Sequence, residues 1–90
     1  MAWFQLAYRP DVLADLRKLE PATAQRLLDK TKWLASNVGN LRHEPLAPGF
    51  TELSKYAVGD WRIVYAVRQE DRLVEVHWLA HRRDLYDQHG

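Results

Sequence analysis

The amino-acid sequence predicts a two-layer α+β domain in the order β-α-α-β-β-β. A helical hairpin packs on one face of a mainly antiparallel sheet, and a short C-terminal helix or tail closes the chain. Three observations lead there. Two stretches in the first half place apolar residues at three- and four-residue spacing, and each opens on a proline, Pro10 and Pro21. Three runs in the second half carry alternating patterns and are parted by turn-forming residues. Folded into a meander, those runs leave one face almost wholly apolar, and helices must cover such a face.

Taken in order, Ala2–Tyr8 alternates, with Phe4, Leu6 and Tyr8 on one side, and reads as a strand. Val12, Leu13, Leu16 and Leu19 form the stripe of the first helix. The second helix is expected from about Ala22 to Asn37, with Leu27, Leu28, Thr31, Leu34, Ala35 and Val38 on its apolar side. Gly39-Asn40 ends it, because both residue types tolerate the left-handed conformation found there. Leu41–Thr51 contains two prolines and a glycine and reads as a loop.

Glu52–Val58, Arg62–Arg68 and Leu73–Leu79 are the predicted strands of the meander. Gly59-Asp60 supplies a two-residue hairpin turn and Gln69–Arg72 a longer loop. That register puts Ala57 opposite Arg62 and Lys55 opposite Val64. It also puts Arg68 opposite Leu73, His77 opposite Val64 and Leu79 opposite Arg62. Directly opposed residues share a face. Tyr56, Val58, Ile63, Tyr65, Val67, Val74, Val76 and Trp78 should therefore face the helices. Lys55, Arg62, Arg68, Glu75 and His77 should share the other face with Leu53, Val64, Ala66, Leu73 and Leu79. An antiparallel sheet can leave that second face to water.

Bulk properties bound the rest. Residues 1–90 read as a single domain. A chain this short buries only about two thirds of its unfolded surface, so the four Trp and four Tyr matter to its core. The lack of cysteine excludes a disulfide framework and thiolate metal sites. Neither a signal peptide nor an apolar run long enough to span a bilayer is visible, so a cytoplasmic protein with no membrane partner is expected. Thirteen Lys and Arg against twelve Asp and Glu leave a net charge of +1. That balance excludes a broad basic surface for nucleic acid, and any contact with RNA must be made by a local cluster of charge.

Two segments, Val58-Gly59-Asp60-Trp61-Arg62-Ile63-Val64-Tyr65-Ala66-Val67 and Leu79-Ala80-His81-Arg82-Arg83-Asp84-Leu85-Tyr86, resemble the paired signature of the RelE/ParE toxin superfamily. The family joins a "G-D-Y-R-hydrophobic-hydrophobic-Y" hairpin to a closing "H-R-x-x-x-Y" tail. The resemblance implies the toxin of a type II toxin–antitoxin system, held silent by a cognate antitoxin and meeting operator DNA only through it. The RelE-like branch, the favoured reading, is a ribosome-dependent endoribonuclease. It cuts mRNA through attack of the 2′-hydroxyl, with no metal and no cofactor, and so inhibits translation. The alternatives are a ParE-like inhibitor of DNA gyrase that cuts no RNA, or a degenerate toxin acting only in the antitoxin and operator complex. A shared fold does not choose among them.

Metal-free RNA cleavage needs a base for the 2′-hydroxyl, cations for the crowded phosphate and an acid for the departing oxygen. The resemblance carries Arg62 and Arg82 over as the phosphate clamp, a role suited to planar two-pronged bonding. Otherwise they are solvated surface residues. Lys55 stands seven residues before Arg62, where RelE-like toxins tend to be basic, but the companion position is Ala57. Tyr86 matches the closing Tyr and would handle the proton or stack on a base. Its alternative is packing of the tail. His81 is the rival for the proton, because its ordinary pKa suits transfer near neutrality, and otherwise it makes a structural hydrogen bond. His77 and His81 lie too far apart on an extended chain to bind one metal. Trp33, Trp61 and Trp78 are expected to be packing residues.

Overall fold

The computed structural model describes residues 4–85. Its elements are β1 (Gln5–Tyr8), α1 (Pro10–Lys18), α2 (Pro21–Ser36), β2 (Glu44–Pro45), β3 (Ser54–Val58), β4 (Trp61–Arg68) and β5 (Leu73–His81), with a 3-10 turn at Val38–Asn40. Both helices start on their prolines. The residue before each proline is extended, Arg9 with ψ 151° and Glu20 with ψ 137°. That is the conformation to which a following pyrrolidine ring pushes its neighbour, and it separates the helices sharply. No helix among the described residues is long and apolar enough to cross a membrane.

The five strands lie in the order β1-β5-β4-β3-β2. β2, which falls in the predicted loop, pairs Glu44 with Lys55 and Pro45 with Ser54. β1 pairs parallel to β5, and the other pairs are antiparallel. The β3–β4 register is the expected one, with Lys55 opposite Val64 and Ala57 opposite Arg62. Gly59 takes a φ of +58°, which suits the hairpin turn that needs glycine at its first central position.

The β4–β5 register corrects one expectation. Arg68 does pair with Leu73, but the ladder shifts between Val64 and Tyr65. Tyr65 pairs with Val76 and Val64 with Trp78, which leaves His77 as the extra residue of a bulge. Beyond it, Trp78 and Leu79 exchange faces relative to the sequence prediction. Leu79 joins the core under the helices, and Trp78 turns to the opposite side with Val64 and Ala80. A shift of one residue flips every side chain beyond it.

The main core is built from Val12 and Leu16 of α1, Leu27, Leu34 and Ala35 of α2, and Ile63, Tyr65, Val74, Val76 and Leu79 of the sheet. Thr31 is its buried polar residue. Its hydroxyl donates to Leu28 O at 2.7 Å and lies 2.7 Å from Tyr8 Oη, so burial leaves it satisfied. A second cluster lies across the sheet. Leu46 from the loop and Leu85 from the tail are both buried on Val64 and Ala80, with Leu53 and Trp78 around them. The face expected to meet water is therefore covered at its middle, which keeps Val64 fully buried on a strand whose other face is already in the core. Trp33 packs only in part, with its ring centre 5.8 Å from that of Tyr56. It is 39% exposed, with Lys30 Nζ 4.6 Å from its ring centre.

Candidate functional site

The second face carries two polar ends on either side of its apolar cluster. One end is the β3–β4 turn. Arg62 points to this face because Ile63 next to it is committed to the core. Its Nη1 donates to Gly59 O and to Trp61 O, both at 2.9 Å, so the guanidinium folds back and caps the turn. Arg82 reaches the same turn by another route. Its backbone N–H donates to Asp60 O at 2.7 Å, and its Nε lies 3.6 Å from Asp60 Oδ1. The two arginines are thus gathered at one end of the sheet through the Gly59-Asp60 turn. Lys55 is a diagonal neighbour of Arg62 across the ladder, about 7–8 Å away by strand geometry. Its Nζ pairs with Glu44 Oε2 at 3.6 Å. Ala57 is exposed directly opposite Arg62.

His81 lies at this end but on the other side of the sheet. It pairs with Trp61, and the two rings meet edge to face at 5.6 Å. Its Nδ1 accepts from the Arg83 backbone N–H at 3.3 Å. The alternation of β5 beyond the bulge therefore directs His81 away from Arg62. Tyr86 lies outside the described residues.

The opposite end of the same face holds a polar unit that the motif does not mark. Glu75 Oε1 accepts from Arg68 Nη2 at 3.0 Å, more weakly from Arg68 Nε at 3.4 Å, and from His77 Nε2 at 3.0 Å. The Arg68 hydrogen bond holds the Glu75 carboxyl below the usual carboxylate range, with His77 adding to the effect against a desolvation cost. Arg68 and His77 border an open groove of about 610 Å³, beside His43, Glu52, Ser54 and Asp71. Register alone placed Arg68, Glu75 and His77 on one face, so a signal for this unit existed. What sequence could not supply was the bulge that presents His77.

Behind the groove, His43 Nδ1 lies 2.7 Å from Tyr65 Oη, and His43 Nε2 lies 3.0 Å from Val38 O. A carbonyl only accepts, so Nε2 carries the hydrogen and Tyr65 donates to Nδ1. Burial, followed by the proximity of Tyr56, pushes the Tyr65 phenol up to about 12. Tyr65 is thus a structural donor that ties the loop before β2 to the core. Among the described residues no three His, Cys, Asp or Glu gather to hold a metal ion.

Comparison with known proteins adds the family. The profile described as the ParE toxin of the type II toxin–antitoxin system, parDE, matches residues 6–86. A chain of the RelBE2 toxin–antitoxin complex from Mycobacterium tuberculosis superposes with a TM-score of 0.79 at 20% identity, covering 93% of this chain and 97% of that one. The free E. coli toxin RelE bearing two arginine-to-alanine substitutions gives 0.74 at 22% identity, with 97% and 93% covered. The same E. coli mutant bound to a peptide of the antitoxin RelB gives 0.63 at 26% identity, with 98% and 94% covered. Curated protein sequences yield no significant match. The fold is that of the RelE structures, and the chain belongs to the ParE toxin family of type II toxin–antitoxin systems, within the RelE/ParE superfamily.

Proposed function

We propose that this toxin is a ribosome-dependent, metal-free mRNA endoribonuclease restrained by a cognate antitoxin. The observation that supports the reading is the meeting of Arg62 and Arg82 at the Gly59-Asp60 turn, with Lys55 the diagonal neighbour of Arg62 on the same face. In a chain of net charge +1, that is the local concentration of cations a phosphate backbone requires. Arg62 and Arg82 are the phosphate clamp, Lys55 adds charge beside them, and Tyr86 or His81 is a proton-transfer group. His81 reaches such a role only by swinging off Trp61. Residues 1–90 act as one toxin domain. The antitoxin is a segment with acidic side chains, matched to the cations, and apolar ones, matched to the half-buried Leu53 and Leu73. Toxins of the same fold have been solved with RelB antitoxins.

A second reading, inhibition of DNA gyrase without RNA cleavage, is favoured by the ParE family profile and by Ala57 at the position where a second cation would stand. One experiment separates the two. Purified protein is added to a translating ribosome mixture and mRNA ends are mapped by primer extension, while gyrase supercoiling is followed in parallel. New ends within ribosome-bound mRNA support the nuclease. Intact mRNA with blocked supercoiling reverses the choice.

A further inference from the structure

We propose that Arg26 and Lys30 of α2 form a second phosphate site, which holds the RNA strand where it leaves the Arg62 and Arg82 clamp and crosses the Gly59-Asp60 turn. The inference rests on the ribonuclease reading above and extends its substrate contacts to the helix layer, outside the signature motif.

Position comes first. Arg26, Lys30 and Trp33 are spaced by four and then three residues, so they share one stripe of α2. With Asp29 and Val58 they line a shallow groove of about 460 Å³. Val58 ends β3, so the groove opens onto the Gly59-Asp60 turn. Arg26 Nη2 lies 3.4 Å from the point that a Cβ on Gly59 would occupy, and glycine leaves that space free. Gly59 O is also where Arg62 Nη1 donates, at 2.9 Å, and Arg82 pairs with Asp60 beside it. The guanidiniums of Arg26 and Arg62 therefore flank the same residue, one from the helix layer and one from the second face. A single glycine stands between them.

Charge comes next. Arg82 is paired with Asp60 and Lys55 with Glu44, but among the described residues neither Arg26 nor Lys30 forms an ion pair. Asp29 is the carboxylate of the groove, and its Oδ1 accepts from Gln25 Nε2 at 2.8 Å. Lys30 is held by rings instead. Its Nζ lies 4.6 Å from the Trp33 ring centre and 5.7 Å from that of Tyr56. An aromatic face fixes an ammonium in place without neutralising it. Arg26 is exposed and Lys30 half-buried, so both are open to a ligand from solvent. Two unneutralised cations one helical turn apart, with about 5–6 Å between Cβ atoms, suit a ligand whose negative charges repeat along a chain. A phosphodiester backbone is such a ligand, and contiguity with the clamp makes it the same RNA strand.

The test uses the whole chain. Fluorescence anisotropy follows binding to a short labelled single-stranded RNA across a salt titration, for wild type, Arg26→Gln, Lys30→Gln and Lys32→Gln. Lys32 is exposed on the same helix but borders the β1 side, so its loss removes the same charge from another place. Arg26→Gln and Lys30→Gln should each weaken binding and lower the slope of log affinity against log salt by about 0.7, the loss of one phosphate contact on a single strand. Lys32→Gln should leave the slope unchanged. The charge-keeping Arg26→Lys and Lys30→Arg should retain it as well, which a packing role would not explain. On translating ribosomes the two Gln variants should raise KM with kcat held, as losing uniform binding does. A slope that stays at the wild-type value in either variant, or falls equally in Lys32→Gln, overturns the proposal and leaves the ribonuclease standing. Lost ribosome co-sedimentation with RNA binding intact also overturns it and gives the stripe to the ribosome surface. Capture of poly-glutamate that needs the stripe when RNA binding does not gives it to an acidic partner instead. A wild type that binds RNA through the stripe but never cuts leaves this site standing and overturns the ribonuclease reading.

Discussion

The phenol of Tyr65 is 1% exposed and its oxygen lies 2.7 Å from His43 Nδ1, so ionising it would place a charge in the core. Its folded-state value, about 12, stands above the ordinary 10.0. A raised value means that the folded protein holds the proton more tightly than the unfolded chain does. The stabilisation is fully present below pH 10 and is lost as pH rises from there through about 12. The loss is on the order of 3 kcal/mol. Denaturant melts across that window should show the decline, and Tyr65→Phe should flatten it. At the arginines the expectation is different. Arg82 Nε is paired with Asp60 in a contact exposed on both sides, and such pairs contribute little to stability. Arg62→Ala and Arg82→Ala should each stay folded by circular dichroism. Each should nonetheless cut ribosome-bound mRNA about 10²–10³-fold more slowly, the usual cost of one lost donor to a developing anion. These two residues were legible because the motif marks them. Arg68, Glu75 and His77 are marked by no motif, and only their shared face hinted at them.

Among the elements, the helices were the easiest to read. Pro10 and Pro21 act through local sterics, which need no tertiary context, and each helix starts on its proline. The β3–β4 hairpin was legible for the same reason, since Gly59 selects the turn and the turn sets the register. β2 was not. Two residues, one of them proline, carry no strand pattern, and only β3 lying alongside makes them one. The bulge in β5 was also invisible. Val76-His77-Trp78 alternates as an ordinary strand, and the extra residue is accommodated because Leu79 fits the helix side while Trp78 fits against Leu46 and Leu85. One strained position in the β4–β5 loop is open to test. Arg72 is exposed with φ +48°, a conformation that costs a residue with a Cβ about 1–2 kcal/mol. Arg72→Gly should relieve that strain and, after glycine's own entropic cost, raise stability by about 0.5–1 kcal/mol in urea melts.

For the molecule as a whole, ninety residues support a stability of roughly 5–13 kcal/mol. A single core truncation is therefore a large fraction of it. Leu34 is fully buried between helix and sheet, and Leu34→Ala should cost about 2–5 kcal/mol, read as a lower urea midpoint with loss of fold at moderate temperature. The two layers, the proline-started helical hairpin, the meander and the superfamily were all readable along the chain. All of these depend on local propensity, periodicity and motif spacing, which are properties of neighbours along the chain. Three features came from the folded arrangement alone. β1 lies parallel beside β5, the tail and the β2 loop seat Leu85 and Leu46 on the second face, and the bulge turns Trp78 out of the helix-side core while presenting His77. Each depends on which distant side chains fill a common volume, and close packing settles that across the fold rather than along it.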